Sequence, residues 1–171
     1  MRRALLVLFL ITVAFADEAR VGDHNVGLAA GFTTGYGLSY RQWTKSGYGF
    51  QVTGVPYYSK SGDTIDALFS LGCAGLKKVK EMNLINLFGY LAAHLQYAYK
   101  NNVPNYSINP YIPSTLGPEK ICTFFTGGGF GLDFHFWVLS FNAMSGIRYW
   151  TDFKAQSSIG MTAETALYYS F

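Results

Sequence analysis

The sequence predicts an all-β chain: a closed, eight-stranded, antiparallel, up-and-down transmembrane β-barrel. Three observations lead there. Eight segments alternate apolar with polar or small residues at the period of a strand. The large side chains fall on one side of those segments and the charges on the other, and an export segment precedes them all.

Arg2 and Arg3 precede an apolar run from Ala4 to Val13, and Ala14-Phe15-Ala16 places small residues where a signal peptidase reads. Residues 1–16 are therefore expected to be a signal peptide cleaved after Ala16. The run is short of the roughly 20 residues that a spanning helix needs, and no Cys follows it to carry a lipid anchor. Residues 17–24 form a short N-terminal segment, and 25–171 the barrel. Without Arg2 and Arg3, the 13 basic residues become 11 against 10 acidic, a balance that argues for neither nucleic acid nor an acidic partner. With 18% aromatic and 13% charged residues, a soluble secreted domain would struggle to stay solvated. Cys73 and Cys122 could make one disulfide in an exported chain, but they are too few for a disulfide scaffold and read as small residues that happen to be thiols.

In 25–32, Val26, Leu28, Ala30 and Phe32 oppose Asn25, Gly27, Ala29 and Gly31. In 36–43, Tyr36, Leu38 and Tyr40 oppose Gly37, Ser39 and Arg41, and 45–47 is a turn. Phe50, Val52 and Gly54 oppose Gln51 and Thr53 before a second turn at 60–63. Ile65, Ala67, Phe69, Leu71 and Cys73 oppose Asp66, Ser70, Gly72 and Ala74, and a lysine-rich turn is expected at 77–82. Residues 84–99 also fit a helical stripe through Leu84, Leu87, Phe88, Leu91 and Leu95. The strand reading is preferred because every neighbouring segment is a strand. After a long loop at 100–119, three more segments alternate: Phe124 to Phe136, Leu139 to Tyr149, and Ile159 to Phe171.

Eight strands closed on themselves leave no edge and an interior just wide enough for side chains. The small and polar set fits that interior, so the Leu, Ile, Phe and Tyr set faces outward, which is stable only against lipid. Tyr36, Trp43, Tyr57, Tyr58, Tyr97, Tyr99, Tyr149, Trp150 and Tyr169, near strand ends, suit aromatic girdles at the two membrane interfaces.

The signal peptide at 1–16 and the end "ALYYSF" together resemble the small outer-membrane β-barrel proteins of Gram-negative-type bacteria. The resemblance implies that Leu167, Tyr169 and Phe171 are the signal read by the barrel-assembly machinery. It also implies a monomer in the cell outer membrane, in contact with its lipid. With the N-terminus on the periplasmic side, the connections at 33–35, 59–63, 100–119 and 151–157 face outward, and the one long loop falls outside.

Chemistry is confined to the polar interior. Asp66, His94, Gln96 and Arg148 are expected in the outer half of the lumen. Arg41, Asn86, Asp133, His135 and Asn142 belong to the inner half, and Glu164 lies near the middle. Unpaired ions in so narrow a space are costly, so these residues are read as hydrogen-bonded layers that plug the barrel. A sharper alternative pairs His94 with Asp66, or His135 with Asp133, as the acid and base of a lipid-modifying enzyme. A second alternative is a carrier barrel for a small solute or a hydrophobic ligand. No Ser stands beside either His in a recognisable sequence motif, so the chain is expected not to be an enzyme. "TGGGFG" at 126–131 lacks the Lys and Ser or Thr of a phosphate loop and lies inside a strand, where glycines make room for inward neighbours or bend the barrel wall. Three scattered His residues give no metal-ligand spacing, and no cofactor is expected. The reading is a structural or surface-interaction protein whose 100–119 loop is the candidate segment for an extracellular ligand.

Overall fold

The computed structural model describes residues 24–61, 64–101, 119–153 and 156–171. The expected signal peptide, residues 17–23 and the loop between 102 and 118 lie outside the described residues. Eight strands follow one another: β1 (His24–Gly31), β2 (Gly35–Trp43), β3 (Tyr48–Ser61), β4 (Thr64–Glu81), β5 (Ile85–Asn101), β6 (Glu119–Phe136), β7 (Leu139–Thr151) and β8 (Ser157–Ser170). Each pairs antiparallel with the next. β1 closes the ring on β8 from Asn25↔Ser170 to Ala30↔Thr165. The ambiguous segment 84–99 lies in strand β5 and not in a helix.

Alternation decides what the wall shows on each side. In β8, Thr162, Glu164, Ala166 and Tyr168 are buried, while Met161, Ala163, Thr165, Leu167 and Tyr169 between them are exposed. The outer surface carries an apolar belt: Leu28, Leu38, Leu91, Phe130, Ile147, Ile159 and Met161 are each 62–81% exposed. Cys73 and Cys122 lie in this wall as free thiols.

Three sequence expectations are corrected. The lysine-rich stretch is not a turn. β4 continues to Glu81 across an irregularity between Lys78 and Lys80, and the chain reverses only afterwards. Lys77 sits on the wall instead, its Nζ 3.0 Å from the Ser46 carbonyl and 3.5 Å from the centre of the Tyr48 ring. Trp43 is no girdle residue: it is buried inside the ring with Leu76, Phe88, Tyr90 and Met144. Trp150 shares the lumen parity of Arg148. The interior is thus mixed, with large aromatics packed among the polar groups, and not only small and polar as the alternation suggested.

The strands are unequal. β1 and β2 are short, meeting at Gly31↔Gly35, whereas β3 to β6 rise well past that level. β2 pairs with β3 only as far as Leu38↔Gly54, so Val55–Ser61 of β3 has β4 as its sole strand partner. Ser157–Glu164 of β8 likewise pairs with β7 alone. Pro56 lies in the free-edged part of β3, where a strand tolerates a residue without an N–H.

Candidate functional site

The lumen holds two polar centres, one above the other. In the lower, alternation turns Arg41 of β2 and Asp133 of β6 toward each other, and the guanidinium meets the carboxylate at 3.3 Å with both side chains buried. Arg41 also donates to Gln51 Oε1 at 2.9 Å, and its Cζ stands 4.3 Å from the centre of the Tyr168 ring and 5.6 Å from that of Phe88. The chain of bonds continues from Gln51 to Thr53, Ser39 and the Tyr168 hydroxyl. Around Asp133 the register aligns Asn86 on β5 and Asn142 on β7. His135 Nε2 lies 3.5 Å from Asp133 and 2.9 Å from Asn86 Nδ2. All five residues expected in the inner half therefore share one layer, although the buried Asn142 amide has no hydrogen-bond partner.

The upper centre is built by a turn. The β1–β2 connection does not stand clear of the barrel as an outward loop would. It folds into the lumen, where Thr33 and Thr34 are fully buried. The Glu164 carboxylate holds it there, accepting hydrogen bonds from the backbone N–H and hydroxyl of both threonines and from the Thr162 hydroxyl. Five donors on one carboxylate replace the hydration that burial removes. Across the lumen the turn lies against glycine: a Cβ on Gly72 would fall 2.1 Å from the Thr34 carbonyl oxygen, and one on Gly127 would fall 2.9 Å from Thr33 Cγ2. Within "TGGGFG", Gly127 thus makes room for Thr33, and Gly131 for Phe88 and Met144.

His94 does not pair with Asp66. Its Nδ1 meets the Phe32 carbonyl at 2.8 Å and its Nε2 the Ser70 hydroxyl at 2.9 Å, both side chains being buried. With Nδ1–H donating to the carbonyl, Nε2 accepts from Ser70. That is the polarity of a nucleophile and its base, but it is sealed beside the inward turn. Asp66 Oδ1 and Arg148 Nε are buried without hydrogen-bond partners, so the hydrogen-bonded layer expected in the outer half is incomplete among the described residues. The Arg148 Cζ instead stands 4.2 Å from the centre of the Phe32 ring. Gln96 shares the register of Ser70 and Thr123 in the same half.

The chain is similar to the N-terminal β-barrel domain of Pseudomonas aeruginosa OprF, with a TM-score of 0.46, 14% identity, and coverage of 89% of this chain and 100% of that one. It is similar to Neisserial surface protein A, with a TM-score of 0.46, 12% identity and coverage of 86% and 94%. It is also similar to Ail, the attachment invasion locus protein of Yersinia pestis, with a TM-score of 0.45, 14% identity and coverage of 86% and 96%. No protein-family model and no curated protein matches the chain.

Sequence reasoning missed Thr33, Thr34, Ser39, Gln51, Thr53, Ser70 and Tyr168 as lumen partners. Ser39, Gln51, Thr53, Ser70 and Tyr168 carry the polar-side parity and could have been found from it. Thr33 and Thr34 could not, because alternation ends where the turn begins.

Proposed function

We propose that the chain is an outer-membrane β-barrel protein with a closed lumen and a structural or surface-interaction role. The observation that carries the reading is the division of the wall: an apolar belt outside, and inside it an Arg41–Asp133 layer and the Glu164-held turn stacked across the lumen. Such a belt is stable against hydrocarbon and not against water. An eight-stranded interior filled with side chains gives no open path for ions. The reading includes export by the segment at 1–16, assembly through Leu167, Tyr169 and Phe171, a monomeric state, and an extracellular ligand bound through the 100–119 loop.

The test is extraction from outer membranes followed by gel electrophoresis with and without heating, together with conductance across a planar bilayer. The reading expects a band that shifts on heating and a silent bilayer. Protein that stays in the periplasmic fraction, or large steady conductance steps, would contradict it. The Ser70–His94 contact favours one second reading, an enzyme acting on lipid. His94→Ala separates the two: a structural bond predicts a lower unfolding midpoint, and an enzyme predicts a folded barrel that has lost lipid-modifying activity.

A further inference from the structure

Above the inward turn the barrel wall is incomplete. β1 and β2 end at Gly31↔Gly35, and no pairing joins β3 to β8 among the described residues. Two free edges, Val55–Ser61 and Ser157–Glu164, therefore flank a gap that two strands would otherwise fill. At about 4.8 Å per strand spacing, the three spacings from β8 to β3 separate the two backbones by roughly 14 Å and leave an opening of about 10 Å, the width of two strands, wide enough for an acyl chain. The gap opens at the depth of the apolar belt, because Ile159 and Met161 on the free-edged part of β8 are 73% and 81% exposed on its outer face.

Among the described residues, the side chains behind the gap outline a cup. Its floor is Phe32, carried by the inward turn, against Phe125 at a ring separation of 6.0 Å. Val55, Leu68 and Ala98 have the parity that turns them onto its walls. At the floor stands Arg148 over the exposed Phe32 ring, its Nε without a partner and with no ion pair to it among the described residues. Asp66, on the lumen side of β4, sits near the rim in register with Lys100 and not at the floor.

We propose that this cup binds an acidic amphiphile of the outer leaflet, with its anionic head on Arg148 and its chain over Phe32 and Phe125 and out through the gap into the bilayer. The site would join the lumen to the membrane. An unpartnered guanidinium at the floor of an apolar cup selects a carboxylate or phosphate, and the lateral gap selects a chain that can remain in hydrocarbon. The polar parts of such a head would also meet backbone groups on the free edges, which hydrocarbon alone leaves unsatisfied. The inference rests on the membrane reading above.

The test titrates the delipidated mature protein in a non-ionic detergent with cis-parinaric acid, a fluorescent single-chain carboxylate. A saturable signal of one site per barrel is expected, displaced by oleate or by oleyl phosphate, whichever head Arg148 prefers, and not by oleyl alcohol. Arg148→Gln should weaken binding tenfold or more, and Arg148→Lys should restore part of it. Gly160→Leu keeps the charge but fills the space beside Arg148, where a Cβ would stand 3.9 Å from Nε and meet nothing else within 4 Å among the described residues; it should block binding as well. Each variant is first shown to shift on heating, so a failure of the membrane reading shows at that step and not in the titration. Absence of saturable binding, equal displacement by oleyl alcohol, or unchanged affinity in both folded variants would overturn the proposal.

Discussion

Glu164 and Asp133 are both buried carboxylates, and they are stabilised by different means. Glu164 has no cation beside it among its hydrogen-bond partners and relies on five donors from Thr33, Thr34 and Thr162. Glu164→Ala leaves two buried backbone N–H groups unpaired and should lower the unfolding free energy by about 3 kcal/mol, read as a lower urea midpoint of the heat-shifting band. Asp133 relies on Arg41. Asp133→Asn leaves a buried guanidinium without its counter-charge, a loss of about 3–5 kcal/mol. The double change Arg41→Met with Asp133→Leu should recover most of that in the same urea series, because neither charge is then buried alone. A double variant no more stable than Asp133→Asn would show that the pair does not govern this layer.

At the scale of the elements, the β1–β2 hairpin shapes the molecule. It is short, so its turn reaches the lumen at the level of Glu164 and leaves β3 and β8 unpaired above. Gly127 is one of the positions that make room for it: a Cβ there would fall 2.3 Å from the Ile147 carbonyl and 2.9 Å from Thr33. Gly127→Val should therefore cut the yield of folded barrel and lower its thermal midpoint, whereas Gly75→Ala, which meets nothing within 4 Å, should leave both unchanged. Equal effects at the two sites would count against the inward turn. Period-two alternation made all eight strands legible in the sequence, and it put Arg41, Asn86, Asp133, His135 and Asn142 on one side and at one end. It failed where other physics decides. The lysines at 77–80 read as a solvent turn, yet a strand can carry them past the apolar belt, with Lys77 resting on the Tyr48 ring. Trp43 read as a girdle residue because its type suits an interface, but its parity is that of Arg41. Pro56 was the one sequence sign of a free edge, visible only once its strand partners were known.

The described residues form a ring with its two polar centres inside and an apolar belt outside, the arrangement that the proposed membrane setting stabilises. Its lower half holds the Arg41 layer and the Trp43 and Phe88 cluster, and at its middle the β1–β2 turn is bonded to Glu164. Adjacent residues of one strand should therefore meet different surroundings. The most direct measurement is depth quenching. Cys73 and Cys122 are replaced by Ala, a fluorophore is attached to a cysteine at Leu91 or at its neighbour Ala92, and the barrel is placed in vesicles containing spin-labelled lipid. The account predicts strong quenching from position 91, which is 76% exposed on the wall, and little labelling or quenching at position 92, which is buried in the lumen. Quenching from 92 and not from 91, or equal quenching from both, would contradict it.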